Sequence, residues 1–146
     1  MRRKTIGYSA IFLAILLAGI QFIQPDRTNP PINPSATFKA IAGPGSEIGA
    51  IVDRACRDCH TNDTQWPLYS RIAPISWLVA NDVKQGRAHL NFSEWGYLSP
   101  EMANEKLKQA CREVTEGDMP LWQYRVMHPE ARLSKEDIEG LCKAAP

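Results

Sequence analysis

The chain has 146 residues, which is enough for one ordinary domain. Its 17 basic and 16 acidic residues give a formal net charge of +1, so the overall charge does not indicate a nucleic-acid partner. Three of the basic residues, Arg2, Arg3 and Lys4, stand together at the N-terminus, and no basic stripe remains elsewhere to bind phosphates. We therefore expect no nucleic acid among the partners.

An apolar segment follows this basic N-terminus. Residues 5–23, TIGYSAIFLAILLAGIQFI, contain no ionisable side chain except Tyr8, and a charged start before an apolar run is typical of an export signal. The run from Ile6 to Ile23 is at the short end of what spans a bilayer, and no A-x-A triplet follows it. We favour an uncleaved membrane anchor over residues 1–23, with a cleaved signal peptide as the alternative.

The anchor also predicts a location. The positive end of such a segment stays in the cytoplasm, so the rest of the chain should face the periplasm from the bacterial inner membrane, or be periplasmic if the signal is cleaved. Residues 24–45 come next and are rich in proline and glycine, which favours a semi-extended tether. The folded domain is then predicted over residues 46–146.

Four amphipathic segments, at residues 46–56, 73–86, 99–117 and 134–145, predict the helices of this domain. Their apolar positions are Ile48, Ile51, Val52 and Ala55; Ile75, Leu78, Val79 and Val83; Met102, Leu107, Ala110, Cys111 and Val114; and Ile138, Leu141, Cys142 and Ala145. No convincing alternating strand pattern is present, so we predict an all-α fold.

Small polar and special residues mark the ends of these helices. Ser46, Ser99 and Ser134 stand where N-caps are expected, and Ser134 with Asp137, three residues later, resembles a capping box. Gly86 and Gly117 are natural helix stops. Short helices in a domain of this size make a thin core, which usually needs a further source of stability.

The motif CRDCH, residues 56–60, indicates what that source is. A C-x-x-C pair followed directly by histidine is the attachment pattern of c-type haem. The thiols of Cys56 and Cys59 would add to the two vinyl groups along one edge of the ring, and His60 would then be the proximal iron ligand. We predict one covalently attached haem c per chain.

Two other chemistries are open to a C-x-x-C pair. Zinc would need two more ligands, usually a second close pair, whereas Cys111 and Cys142 are isolated on apolar helix faces. Dithiol redox chemistry would need a βαβ setting, and no strands are predicted. In an exported protein Cys111 and Cys142 could form a disulfide, or remain two buried, inert thiols.

A second iron ligand is also expected, commonly methionine. The candidates that follow the motif are Met102, Met119, Met127, His89 and His128. Met119 is favoured because EGDMPLW is a loop bounded by glycine and proline, from which a thioether can reach iron without competing with helix packing. Met102 lies on the predicted packing face of its helix. His89 would give bis-histidine ligation, and an open site is a further alternative.

Other residues are candidates for the surroundings of the haem. The tryptophans Trp66, Trp77, Trp95 and Trp122 are expected in the core or in the haem wall. Arg71 and Arg87 could pair with haem propionates, or be solvated surface charges. The second ring N–H of His60 should donate to a backbone carbonyl, and the carbonyls near Pro67 or Pro74 lie in the right part of the chain.

Beyond the motif, residues 56–95 resemble the bacterial haem-binding domain family of small monohaem c-type proteins. The matching words are C-x-x-C-H, WPLYS, IAPISWL, DVKQGR and NFSEW, with DMPLW and MHPEARLS later in the chain. The resemblance covers most of the predicted domain. It implies covalent haem at Cys56 and Cys59, His60 as proximal ligand and Met119 as distal ligand. It also implies a fold like that of class I cytochromes c, in which the first and last helices pack together.

The favoured function is therefore that of a monohaem c-type cytochrome, which transfers electrons to or from a redox protein partner and is not itself an enzyme. A haem-based sensor or ligand-binding module with an open or displaceable sixth site is the main alternative. A peroxidase would need open iron and a distal acid–base residue. A zinc or dithiol protein is the reading without haem.

Overall fold

The computed structural model describes residues 2–43 and 45–144, and every regular element in these ranges is helical. The α-helices are α1 (Arg2–Ile20), α2 (Phe38–Ala42), α3 (Glu47–Ala55), α4 (Arg57–His60), α5 (Ile75–His89), α6 (Pro100–Glu116), α7 (Trp122–Met127) and α8 (Lys135–Lys143). Short 3₁₀ turns cover Pro34–Ala36, Leu68–Arg71, Phe92–Tyr97 and Pro129–Ala131. For the described residues the all-α prediction is confirmed. Ala145, expected on the apolar face of the last helix, lies outside them.

The helix caps form where the sequence placed them. The side chains of Ser46 and Ser99 each accept a hydrogen bond from a backbone N–H in the first turn of α3 and α6. At the start of α8, Ser134 and Asp137 form the reciprocal capping box. Gly117, at a φ of 83°, ends α6 in the left-handed conformation that favours glycine. Local sequence is sufficient at these ends because each cap satisfies backbone groups of its own helix.

The buried face of α5 differs from the predicted stripe. The helix continues through Gly86 to its end at His89, and its buried residues are Ser76, Val83 and Gly86. Ile75 and Leu78, which were expected to be buried, expose 47% and 50% of their surface. At Gly86 a small residue faces inwards because the backbone of Cys59 approaches α5 closely there.

Helix α1 contains the apolar N-terminal segment and ends at Ile20, before the end of the predicted apolar run. From Tyr8 onwards its side chains are largely exposed, including Tyr8 and Phe12 at 72% and 69%. Among the residues that the structure describes, no helix is both long enough and apolar enough to cross a membrane. The anchor stays a prediction.

The segment predicted as a tether packs against the domain. It has no regular secondary structure up to residue 33, but Phe38 of α2 is only 5% exposed and joins Val52, Phe92 and Trp95 in one core cluster. The ring centroids of Phe38 and Trp95 lie 4.9 Å apart in an edge-to-face arrangement. The sequence did not indicate this contact because a single aromatic residue produces no periodic pattern.

A second core cluster joins the first helix of the domain to the last two. Ile51 of α3, Val114 of α6 and Leu141 of α8 are buried together, so α3 packs on α8 as the family resemblance implied. Cys111 and Cys142 form a disulfide that links α6 to α8. Of the two states that the sequence left open for these cysteines, the disulfide is the one formed.

Candidate functional site

The CRDCH motif lies where α3 meets α4. Cys56 follows the last residue of α3, and α4 contains Cys59 and His60. All three side chains line one cavity of about 460 Å³, a volume in the usual range for cofactor and small-molecule sites. The other walls come from α5, α6, α7, α8, the 3₁₀ turn Phe92–Tyr97 and the loop before α7. They include Phe92, Val114, Met119, Leu121, Tyr124 and Leu141.

The imidazole of His60 is held by the end of α5. Its Nδ1 lies 3.0 Å from the carbonyl oxygen of Leu90, and because a carbonyl can only accept, the proton is on Nδ1. The other nitrogen, Nε2, is therefore left with its lone pair. Burial lowers the pKa of His60, which favours the same neutral form. The sequence predicted such a carbonyl but placed it near Pro67 or Pro74.

Gly86 allows α5 to lie directly against the motif. A Cβ atom on Gly86 would lie 2.5 Å from the carbonyl oxygen of Cys59 and 3.1 Å from its Cβ. Only glycine fits between these two backbones. The sequence predicted Gly86 as a helix stop, whereas its function here is close packing.

The two motif cysteines are not bonded to each other. Burial raises the pKa of Cys56 to about 12. The pKa of Cys59 is also raised to about 12, by burial first and then by the negative charges of Asp82 and Asp58. Both side chains are therefore protonated thiols at neutral pH in this structure.

Of the predicted second ligands, Met119 and His89 line the cavity that contains His60, whereas Met102 and Met127 are absent from the part of its lining that the structure describes. Met119 follows α6 and packs against the cluster around Val114. Met102 is 54% exposed, so its expected place on the packing face of α6 was wrong.

His128 lies in a separate, polar cavity next to the first. Its Nδ1 donates to the Glu130 carboxylate at 3.0 Å, and its Nε2 lies 2.8 Å from the Tyr69 hydroxyl. The ring also stacks on Tyr124, with centroids 4.2 Å apart. Both ring nitrogens are therefore already engaged.

A family comparison gives this geometry its context. The family model described as "Haem-binding domain" matches residues 15–145. The chain belongs to the haem-binding domain family. Neither a curated protein nor a solved structure matches it.

The residues of this haem-binding domain fit the group that its family binds. The cavity has mainly apolar walls, which suit a porphyrin ring, and it contains both motif thiols together with an imidazole whose Nε2 carries a lone pair. A methionine thioether lies on the same cavity. These are the donor types of c-type haem attachment and axial ligation.

The structure agrees less well with the two hypotheses without haem, a zinc site and dithiol redox chemistry. The two other cysteines, which zinc would have needed, are bonded to each other. Within residues 2–43 and 45–144, no group of three or more His, Cys, Asp or Glu side chains is placed to hold a metal ion. Dithiol redox chemistry uses a thiol of lowered pKa, and both motif thiols have raised values.

The aromatic residues of the cavity differ from those that the sequence indicated. Phe92 and Tyr124 line it, whereas none of the tryptophans belongs to the described lining. Trp95 is in the core and Trp122 is 70% exposed. The indole N–H groups of the other two donate to segment 23–29, from Trp66 to the Asn29 side chain and from Trp77 to the Ile23 carbonyl. No sequence pattern distinguished Phe92 or Tyr124 from other aromatic residues.

Proposed function

We propose that this haem-binding domain is a monohaem c-type cytochrome, which transfers electrons on the periplasmic side of the membrane. Cys56 and Cys59 would attach the haem through thioether bonds, with His60 as proximal and Met119 as distal ligand. The observation that carries the proposal is that all four side chains line one cavity. When bound, the haem supplies one-electron chemistry at its iron.

The protonation state and tautomer of His60 support its proposed role as an iron ligand. Its hydrogen bond to Leu90 fixes the tautomer and the plane of the ring, and burial favours the neutral form. A ligating histidine normally has its second nitrogen bonded in this way. His60 therefore needs no change of proton or tautomer before it binds iron.

Met119 is favoured over His89 as the distal ligand because the two side chains reach the cavity from different parts of the chain. His89 stands next to Leu90, whose carbonyl holds the proximal histidine, and its Nδ1 donates to Gln85 in the same helix. Met119 comes from the loop after α6, on a different wall of the cavity. Two ligands on opposite faces of one ring have to come from different walls.

The other residues that line the cavity are also compatible with electron transfer. The buried residues Phe92, Val114 and Leu141 give it apolar walls, and outer-sphere transfer requires no group that makes or breaks bonds. The partner would be a second redox protein that docks where the haem edge is accessible.

The cell compartment is proposed from two further features. A disulfide such as Cys111–Cys142 persists in oxidising compartments, including the periplasm. The exposed apolar side chains of α1 would be covered by lipid if residues 1–23 are a membrane anchor. Both features agree with a domain that is exported and remains near the membrane.

The test is the spectrum of the full chain, produced with the c-type haem maturation machinery. Covalent haem and the long-wavelength absorption band of a thioether bound to haem iron are expected for methionine–histidine ligation. The band should disappear in Met119→Ala and persist in Met102→Ala, a matched change at an exposed methionine. Absence of covalent haem from the wild type would contradict the proposal.

The same measurement separates the alternatives. If the haem is covalent but Met119→Ala leaves the spectrum unchanged, then His89 or an open site replaces Met119. Carbon monoxide binding by the reduced wild type would then favour a sensor or ligand-binding module over an electron carrier.

A further inference from the structure

We infer that Arg87 is a positioning residue for the proximal ligand and that it couples the haem motif to residues 28–31, which precede the domain. The inference deepens the proposed function and rests on it, because the group that is positioned is the imidazole of His60. The coupling acts through residues 61–64, the loop that follows His60. Arg87 of α5 and residues 28–31 bind this loop from two sides.

The guanidinium of Arg87 joins three parts of the chain. Its Nε donates to the carbonyl oxygen of Thr61, directly after His60, at 2.8 Å. Its Nη2 donates to the Thr64 hydroxyl at 2.7 Å and to Oδ1 of Asn29 at 2.9 Å. Its Nη1 donates to the carbonyl oxygen of Thr28 at 3.2 Å. Four of the five guanidinium N–H groups of Arg87 thus have partners within the protein. Arg87 is outside the described lining of the cavity, and its role as a propionate partner stays a prediction.

The loop held by Arg87 is polar but buried. Thr61, Asn62 and Thr64 expose only 8%, 4% and 5% of their surface. The Thr64 hydroxyl donates to the carbonyl oxygen of Asp58, inside the motif, at 2.7 Å. Buried polar groups need partners, so loss of the guanidinium would leave this loop with unpaired acceptors beside His60.

Residues of the predicted tether complete the arrangement. Nδ2 of Asn29 donates to the carbonyl oxygen of Thr64 at 2.9 Å, and Nδ2 of Asn62 donates to that of Pro31 at 3.3 Å. The loop therefore lies between α5 on one side and residues 28–31 on the other. A displacement of residues 28–31 would therefore move Arg87, and with it the loop that follows His60.

The geometry needs arginine and not simply a positive charge. Arg87 stands between Gly86, which packs on Cys59, and Leu90, which binds His60. A planar guanidinium has several donors at fixed angles, whereas a lysine ammonium has one flexible donor group. Arg87→Lys therefore keeps the positive charge and removes the planar set of donors.

The experiment compares the haem-loaded full chain with Arg87→Lys and Asn29→Ala. It uses Arg112→Lys as control, because Arg112 is exposed on α6 and is outside the described lining of the cavity. The readout is the pattern of haem-methyl proton shifts in the oxidised protein, which depends on the orientation of the axial imidazole plane. We expect a changed pattern in Arg87→Lys, a smaller change in the same direction in Asn29→Ala, and the wild-type pattern in Arg112→Lys. Faster hydrogen exchange at residues 61–64 should accompany the first two.

Wild-type shifts and exchange in both Arg87→Lys and Asn29→Ala would overturn the inference and leave the proposed function intact. If Arg87→Lys does not fold, Asn29→Ala decides alone. A change in Arg87→Gln with none in Arg87→Lys would mean that Arg87 acts only as a charge, which also overturns positioning. A wild type without covalent haem would overturn the proposed function, and this inference with it.

Discussion

Gly86 and the carbonyl oxygen of Cys59 are so close that a Cβ atom on Gly86 would lie only 2.5 Å from that oxygen. The haem motif and α5 are therefore packed backbone to backbone. The same helix end supplies the Leu90 carbonyl that holds His60. The shape of the site depends on this contact as much as on the motif.

Gly86→Ala should damage the site. The added methyl group meets backbone that cannot move alone, so we expect a loss of about 1–3 kcal/mol in the free energy of unfolding, as for other overpacked sites, and less covalent haem per chain. Denaturant unfolding and the haem-to-protein ratio measure the two effects. Gly140→Ala in α8 is the control, because the atoms nearest to its Cβ would be Ile51 Cδ1, at 3.8 Å, and Glu47 carboxylate atoms, at 3.9 Å, which is ordinary contact distance. Equal results for the two variants would contradict the prediction.

Removal of the disulfide should destabilise the domain. Cys111 and Cys142 are 31 residues apart, and a loop of that length corresponds to about 3–4 kcal/mol of stabilisation through the unfolded state. The double variant Cys111→Ser/Cys142→Ser should unfold at lower denaturant concentration than the wild type. Addition of a reductant should lower the midpoint of the wild type only. An unchanged midpoint in the double variant would show that the bond adds no stability.

Phe38 tests whether the proline-rich segment belongs to the folded unit. Truncation of this buried ring should lower the free energy of unfolding by about 3–5 kcal/mol in Phe38→Ala. Phe22→Ala is the matched control, because that ring is 91% exposed, and its effect should be within about 0.5 kcal/mol. Denaturant unfolding of the full chain gives both values. A negligible effect of Phe38→Ala would favour an independent tether.

Acid should weaken the ion pair between Arg54 of α3 and Asp137 of α8. Hydrogen bonds from the Ser134 backbone and from Arg54 hold the pKa of Asp137 below its usual value. Because the folded-state pKa is depressed, ionised Asp137 stabilises the fold above the ordinary aspartate pKa, and this contribution is lost as the pH falls through the folded-state value.

Asp137→Asn should therefore lower the free energy of unfolding at pH 7 by about 1 kcal/mol, and the difference from the wild type should vanish in acid. Unfolding measured across the acid range checks this. Glu139→Gln, at an exposed position of the same helix, should leave the pH profile unchanged. A difference between Asp137→Asn and the wild type that persists in acid would exclude ionisation as its cause.

The sequence by itself determined the features that depend on neighbouring residues. The all-helical character, the serine caps, the capping box and the glycine end of α6 follow from short-range hydrogen bonding. The CRDCH motif predicted the attachment chemistry because its two cysteines and its histidine stand within five consecutive residues. Met119 was favoured from its loop alone, and the structure places it on the cavity that the motif lines.

Only the tertiary structure decided the features that depend on residues far apart in the chain. These include the Leu90 carbonyl that holds His60, the close packing of Gly86 on Cys59, and the hydrogen bonds of Arg87 to residues 28–29 and 61–64. The entry of Phe38 into the core and the pairing of Cys111 with Cys142 belong to the same group. Periodicity reports which face of a helix is apolar, but it does not report which distant backbone or side chain that face meets.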